Sequence, residues 1–136
     1  MVSRISRIIA VLCVLSMISH HVTVANDIPP ACLSLNWVAC GVNIGTALYT
    51  KYYGQWQDSQ DVNAFGTVCK TQFRGSFYRW KWVWGGQFWC PQLSSTVMGT
   101  SEHYKSREGA IEHALQDYVT KAGQAGILKP EHVSQT

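Results

Sequence analysis

The sequence carries no GxSxG, HExxH or phosphate-loop motif. It has no CxxC pair and no His/Cys cluster at zinc spacing, so neither a metal site nor a cofactor is expected. His103, His113 and His132 have no obvious partners, and Glu108 and Glu112, one helical turn apart, read as a solvated face. The chain is therefore not expected to be an enzyme. No internal repeat or low-complexity tract is present. Only 14% of residues are charged, and no apolar run is long enough to span a bilayer.

What is present begins with a processing signal. Arg4 and Arg7 precede the apolar run Ile8 to Ile18, and Thr23-Val24-Ala25 supplies a cleavage site with a small last residue. Residues 1–25 are thus expected to be a signal peptide, and residues 26–136 a single secreted domain of 111 residues, enough for a modest core. Loss of Arg4 and Arg7 leaves nine Lys and Arg against eight Asp and Glu, so the mature chain is nearly neutral overall. Cys13 leaves with the leader. The remaining four cysteines allow three pairings in an oxidising compartment. Cys69–Cys90 is the favoured pair, with Cys32–Cys40 by elimination.

The positive charge is concentrated in one stretch. Between Cys69 and Cys90 lie twenty residues with four cations (Lys70, Arg74, Arg79, Lys81), eight aromatics and no carboxylate. Gly75-Ser76 and Gly85-Gly86 suit two-residue hairpin turns. Folding about Gly75-Ser76 predicts Arg74 opposite Phe77 and Lys70 opposite Lys81. One face would then carry Lys70, Gln72, Arg74, Phe77, Arg79, Lys81 and Val83, and the other Cys69, Thr71, Phe73, Tyr78, Trp80, Trp82 and Trp84. A half-buried sheet accounts for such a pattern. Like charges facing each other are destabilising, however, and make the cationic face a candidate site for a multivalent anion. In this register Cys69 and Cys90 fall on outer strands and opposite faces, so their bond requires a bulge or an early-departing strand.

Around this ribbon, Leu33, Trp37, Cys40, Ile44, Ala47 and Leu48 predict an amphipathic helix over roughly 32–52. A Cys32–Cys40 bond conflicts with a regular first turn, because eight helical residues span about 12 Å and a disulfide needs α-carbons within about 7 Å. Short strands are predicted near Gln55–Gln57, Ala64–Arg74, Phe77–Trp84 and Gln87–Pro91, with Asp58–Asn63 as a turn and Leu93–Lys105 as a loop. A second amphipathic helix begins near Ser106, with Ile111, Ala114, Leu115, Tyr118, Val119 and Ala122 as its stripe; Gly123 or Gly126 would end it, and Pro130 would open a last short helix. The fold class is α+β: a small four-stranded antiparallel sheet against an N-terminal helix and one or two C-terminal helices, stapled by disulfides.

The cysteine spacing, the alternation of aromatic and basic residues, Gly86, Phe88-Trp89-Cys90-Pro91, the run His113 to Ala122 and Gly126-Ile127-Leu128 together resemble the arthropod anti-lipopolysaccharide factors and the related scygonadin-like proteins. The resemblance implies a four-stranded sheet packed on helices, with the disulfide-closed hairpin binding lipid A, and carries the family's basic positions to Lys70, Arg74, Arg79 and Lys81. The chain departs from the family pattern at Gly75-Ser76, Gly85, Gln87 and Leu93, and adds Cys32 and Cys40. The expected function is that of a secreted antimicrobial effector of innate immunity whose partner is lipopolysaccharide on the outer membrane of Gram-negative bacteria. The four cations would contact lipid A phosphates, Phe77 and Val83 the acyl chains, and Trp80, Trp82 and Trp84 would mostly hold the sheet to the helices. The alternative is a secreted, disulfide-stabilised protein-interaction scaffold with weak or lost lipid A binding. Aromatic-basic alternation also suits single-stranded nucleic acid, but a secreted protein is not expected to meet that ligand.

Overall fold

The computed structural model describes residues 28–135; the expected signal peptide lies outside the described residues. In chain order the elements are α1 (Pro30–Leu33), α2 (Trp37–Lys51), β1 (Ser59–Ala64), β2 (Thr67–Tyr78), β3 (Lys81–Trp89), β4 (Gly99–Tyr104), α3 (Arg107–Gln124) and α4 (Pro130–Val133). The strands form one antiparallel meander in the order β1-β2-β3-β4. Helix α3 lies across β2, β3 and β4, and α2 packs chiefly on α3.

The stripe read on the C-terminal helix is the core side of α3: Ile111, Ala114, Leu115, Tyr118, Val119 and Ala122 are all buried, in one cluster with Phe73 and Phe88 from the sheet and Phe65 from the β1–β2 turn. Ser106 caps the helix by accepting from the Gly109 amide at 3.0 Å. Gly126 (φ 75°) ends it, with the Ile127 amide returning to the Ala122 carbonyl at 3.0 Å. Asp117 ties α3 to β4 through the Thr100 amide at 2.8 Å and pairs with Lys121 at 2.7 Å.

Tyr118 sits wholly in this core, against Phe88 at 5.0 Å and Phe65 at 6.0 Å between ring centroids. Its hydroxyl has no hydrogen-bond partner among the described residues, and burial pushes its pKa up to about 12. An unpaired buried hydroxyl costs stability that a phenyl ring does not. Tyr118→Phe is therefore expected to leave the urea midpoint at pH 7 unchanged or raised. The folded pKa lies above that of the unfolded chain, so this group's contribution is constant below about pH 10 and is lost as pH rises toward 12. The variant is expected to lose less stability than the parent between pH 9 and 11.

Several local expectations are corrected. The first helix is two helices: the Cys32–Cys40 bond, with α-carbons 4.8 Å apart, folds α1 back over the start of α2. Leu35 bends the chain at φ 61°, and Asn36 caps α2. Asp58–Asn63 is not a turn, because Ser59–Ala64 is β1, and Leu93–Lys105 contains β4. Neither Gly75-Ser76 nor Gly85-Gly86 turns. β2 and β3 run straight through both and meet at Arg79-Trp80, four residues beyond the first pair, where both residues take positive φ (49° and 66°) as a primed two-residue turn requires.

Candidate functional site

The shifted turn sets a new register: Tyr78 faces Lys81, Phe77 faces Trp82, Gly75 faces Trp84, Phe73 faces Gly86, and Lys70 faces Trp89 instead of Lys81. One step further down, Cys69 meets Cys90 directly, with α-carbons 4.1 Å apart, so no bulge is needed for the bond. The glycines make room for rings rather than for turns. The Trp82 indole lies where a β-carbon on Gly75 would sit, and the Phe73 ring where one on Gly86 would.

Moving the turn by four residues preserves facing for everything outside the displaced segment, because faces alternate with period two. Lys70, Gln72, Arg74, Lys81 and Val83 therefore share the sheet face away from the helices, as the sequence predicted, and Cys69, Thr71, Phe73, Trp82 and Trp84 share the helix side. Phe77 and Tyr78 exchange sides, and Arg79 and Trp80 belong to the turn.

β1 ends opposite Gln72 and β4 opposite Trp84, so the ribbon from Arg74 to Val83 projects beyond both neighbours. Among the described residues, no helix lies beneath the helix side of that projection. Trp80 is 93%, Phe77 70% and Trp82 55% exposed, where the sequence predicted indoles in the interior; only Trp84 is partly covered. The rings form a chain, Phe77 edge-on to Trp82 at 6.1 Å and Trp82 edge-on to Trp84 at 6.2 Å.

The cations are distributed unevenly. Lys70 approaches Asp61 at 3.8 Å across the β1–β2 pair. Both side chains are half-exposed, and such a pair contributes little. It does correct the expectation that the cationic face lacks carboxylates: Asp61 and Glu102 reach it from the flanking strands, which a reading confined to Cys69–Cys90 could not include. Arg79 lies over the Tyr78 ring at 5.1 Å, and Tyr78 stacks on His103 of β4 at 3.8 Å. That stack bridges β3 above Val83, which is only 6% exposed and offers a ligand almost no surface. Beside it runs a groove of about 580 Å³ floored by Gly85 and Gly86 and walled by Arg74, Gln87, Glu102 and His103. His103 gains its place from a bulge, since β3 and β4 shift register between Trp84 and Gly86. Among the described residues, no cluster of three or more His, Cys, Asp or Glu could hold a metal, and no helix is long and apolar enough to cross a membrane.

A stapled ribbon with cations on one face and bare indoles at its tip, mounted on a helix-backed meander, places the chain in the class of small disulfide-stapled α+β proteins built on a projecting β-ribbon. Residues 42–136 match the family described as Anti-lipopolysaccharide factor/Scygonadin, and the chain belongs to that family. The anti-lipopolysaccharide factor of Tachypleus tridentatus is 34% identical over 73 residues, covering 54% of this chain and 69% of that protein. That of Portunus trituberculatus is 33% identical over 89 residues, covering 65% and 70%. The solution structure of an antilipopolysaccharide factor from shrimp has the same fold, with a TM-score of 0.56 at 23% identity over 69% of this chain and 89% of that one. Cys32 and Cys40 lie before the matched residues.

Proposed function

We propose that this protein is a secreted antimicrobial effector that binds lipopolysaccharide through the lipid A moiety, using the projecting hairpin. The observation that carries this reading is the adjacency of two chemistries: Arg74 and Lys81 on the outer face, with Lys70 further down it, beside Phe77, Trp80 and Trp82 bare at the tip. Lipid A offers phosphates and acyl chains in the same adjacency. Lys70, Arg74, Arg79 and Lys81 contact the phosphates by charge-assisted bonds; Phe77, with Trp80 and Trp82, meets the acyl chains, and Val83 supports the face from beneath. The relatives are anti-lipopolysaccharide factors by name, and the shrimp structure is described with a possible lipid A binding site. Two disulfides fit an oxidising, extracellular setting. Displaced counterions and disturbed outer-leaflet packing would then injure the bacterium without a lytic helix.

Neutralising Arg74 and Arg79 together (Arg74→Gln, Arg79→Gln) is expected to weaken binding to purified lipid A about tenfold in calorimetry, with the thermal midpoint unchanged. Unchanged affinity would remove the hairpin cations from the site. A second reading, an interaction scaffold for another protein, draws on the acidic neighbours Asp61 and Glu102 and on the size of the apolar tip. Ionic strength separates the two: phosphate binding falls as salt rises, whereas an apolar protein interface does not.

A further inference from the structure

We propose that the free edge of β2 pairs with the same edge of a second copy of this chain. β1 stops opposite Gln72, and the last backbone bond on that side runs from the Phe73 amide to the Asp58 carbonyl at 2.7 Å. From Arg74 to Tyr78 the strand pairs, among the described residues, only with β3. Backbone groups of alternate residues face opposite edges, so Gly75 and Phe77, in phase with Phe73, direct their amides and carbonyls outward. Among the described residues no backbone hydrogen bond reaches them from that side. The edge has no proline and no bulge, two devices that ordinarily protect such a strand.

The edge also has a hole and a knob. Where β1 ends, a hollow of about 410 Å³ opens beside β2, lined by Asp58, Phe73, Gly75, Trp82 and Trp84. The knob is Phe77, two residues along and largely exposed on the same face. An antiparallel pairing centred on Ser76 places Gly75 of each copy opposite Phe77 of the other. Those residues carry the outward groups, so four new backbone bonds form, and each Phe77 enters the other copy's hollow. On the opposite face the register sets Arg74 across from the second copy's Tyr78, a cation–aromatic pair. It also brings the second copy's Arg79 alongside Asp58, which pairs with Arg107 at 3.1 Å and keeps its side chain largely exposed.

The interface is isologous, and a two-fold axis through Ser76 closes it as a dimer rather than a fibre. The outer edge of β3 cannot substitute: its unpaired part is only Lys81 to Val83, and the Tyr78–His103 stack and the β4 bulge bound it. The product is a continuous eight-stranded sheet with two cationic faces side by side. This pairing does not depend on what those faces bind.

The test is sedimentation velocity of the oxidised protein over a concentration series without lipid or detergent. The expected result is a monomer–dimer equilibrium that Phe77→Lys weakens at least tenfold and Trp80→Ala leaves within twofold. Ser76→Cys is expected to give a covalent dimer through position 76 with both native disulfides intact, and Ser94→Cys, on a distant loop, is not. A monomer at every concentration overturns the proposal. So does equal loss in Phe77→Lys and Trp80→Ala, which would mean unspecific aromatic association, or equal cross-linking of the two cysteine variants.

Discussion

Replacing Cys69 and Cys90 together by alanine is expected to lower stability by about 3 kcal/mol, or about 15 °C in thermal midpoint, with the larger share arising in the unfolded chain. The bond closes a 21-residue separation between the two longest strands, at the end of the ribbon opposite its turn. Both sulfurs are buried, so their loss also removes packing beside Ala64 and Phe88. The ribbon above is two-stranded from Arg74 to Val83, and an isolated pair of strands is marginal in water. Amide exchange in that segment is therefore expected to accelerate more than in α3. Cys32→Ala with Cys40→Ala is the comparison: its separation of 8 predicts a loss smaller by about 1 kcal/mol, confined to the α1–α2 elbow. Urea denaturation of both double variants measures the order. A larger loss from the Cys32–Cys40 pair would show that the elbow, and not the ribbon, governs the fold.

The same bond explains what could be read from the sequence. Two cysteines that face each other across a two-residue hairpin place its turn midway between them, and the midpoint of 69 and 90 falls between Arg79 and Trp80. The glycine pairs pointed elsewhere because glycine is the usual sign of a turn; here Gly75 and Gly86 lie beneath Trp82 and Phe73. The separation of cations from most of the aromatics was still legible, since it depends only on alternation along the strand. What lay beyond reach was how far the helices extend. No local pattern reveals that α3 stops short of Phe77 and Trp82, so residues patterned for a core stand bare. The edge strands were missed for a related reason. β1 buries only Val62 and Ala64, and β4 only Gly99 and Ser101, leaving too few apolar positions to display a period of two. Six of the eight buried positions of α3 were legible because apolar residues repeat over an uninterrupted run of 18 residues; Ala110 and Gly123, too small to mark a stripe, were not.

The helix pair carries the other large effect. Gly41 and Gly45 look from the sequence like weak points in α2, since glycine costs about 1 kcal/mol relative to alanine in a helix. In the fold they are where α2 meets α3. A β-carbon on Gly41 would stand 2.7 Å from both the Gln116 carbonyl oxygen and the Thr120 hydroxyl; one on Gly45 would stand 3.0 Å from the Gln116 amide nitrogen. The obstacle at both sites is partly backbone, which cannot swing aside as a side chain can. Gly41→Val is therefore expected to cost about 3 kcal/mol by forcing the helices apart. Gly41→Ala decides between the two readings. Helix propensity alone predicts that alanine stabilises, whereas the contact predicts a net loss of about 1 kcal/mol after the propensity gain is counted. Chemical denaturation gives the sign directly. The outer sheet face lies on the far side of the sheet from α2, and the ribbon tip projects beyond β1 and β4, so, on the proposed function, the alanine variant is expected to leave lipid A binding per folded molecule unchanged. A variant that loses affinity while still folded would mean that the spacing of α2 and α3 is felt through the sheet.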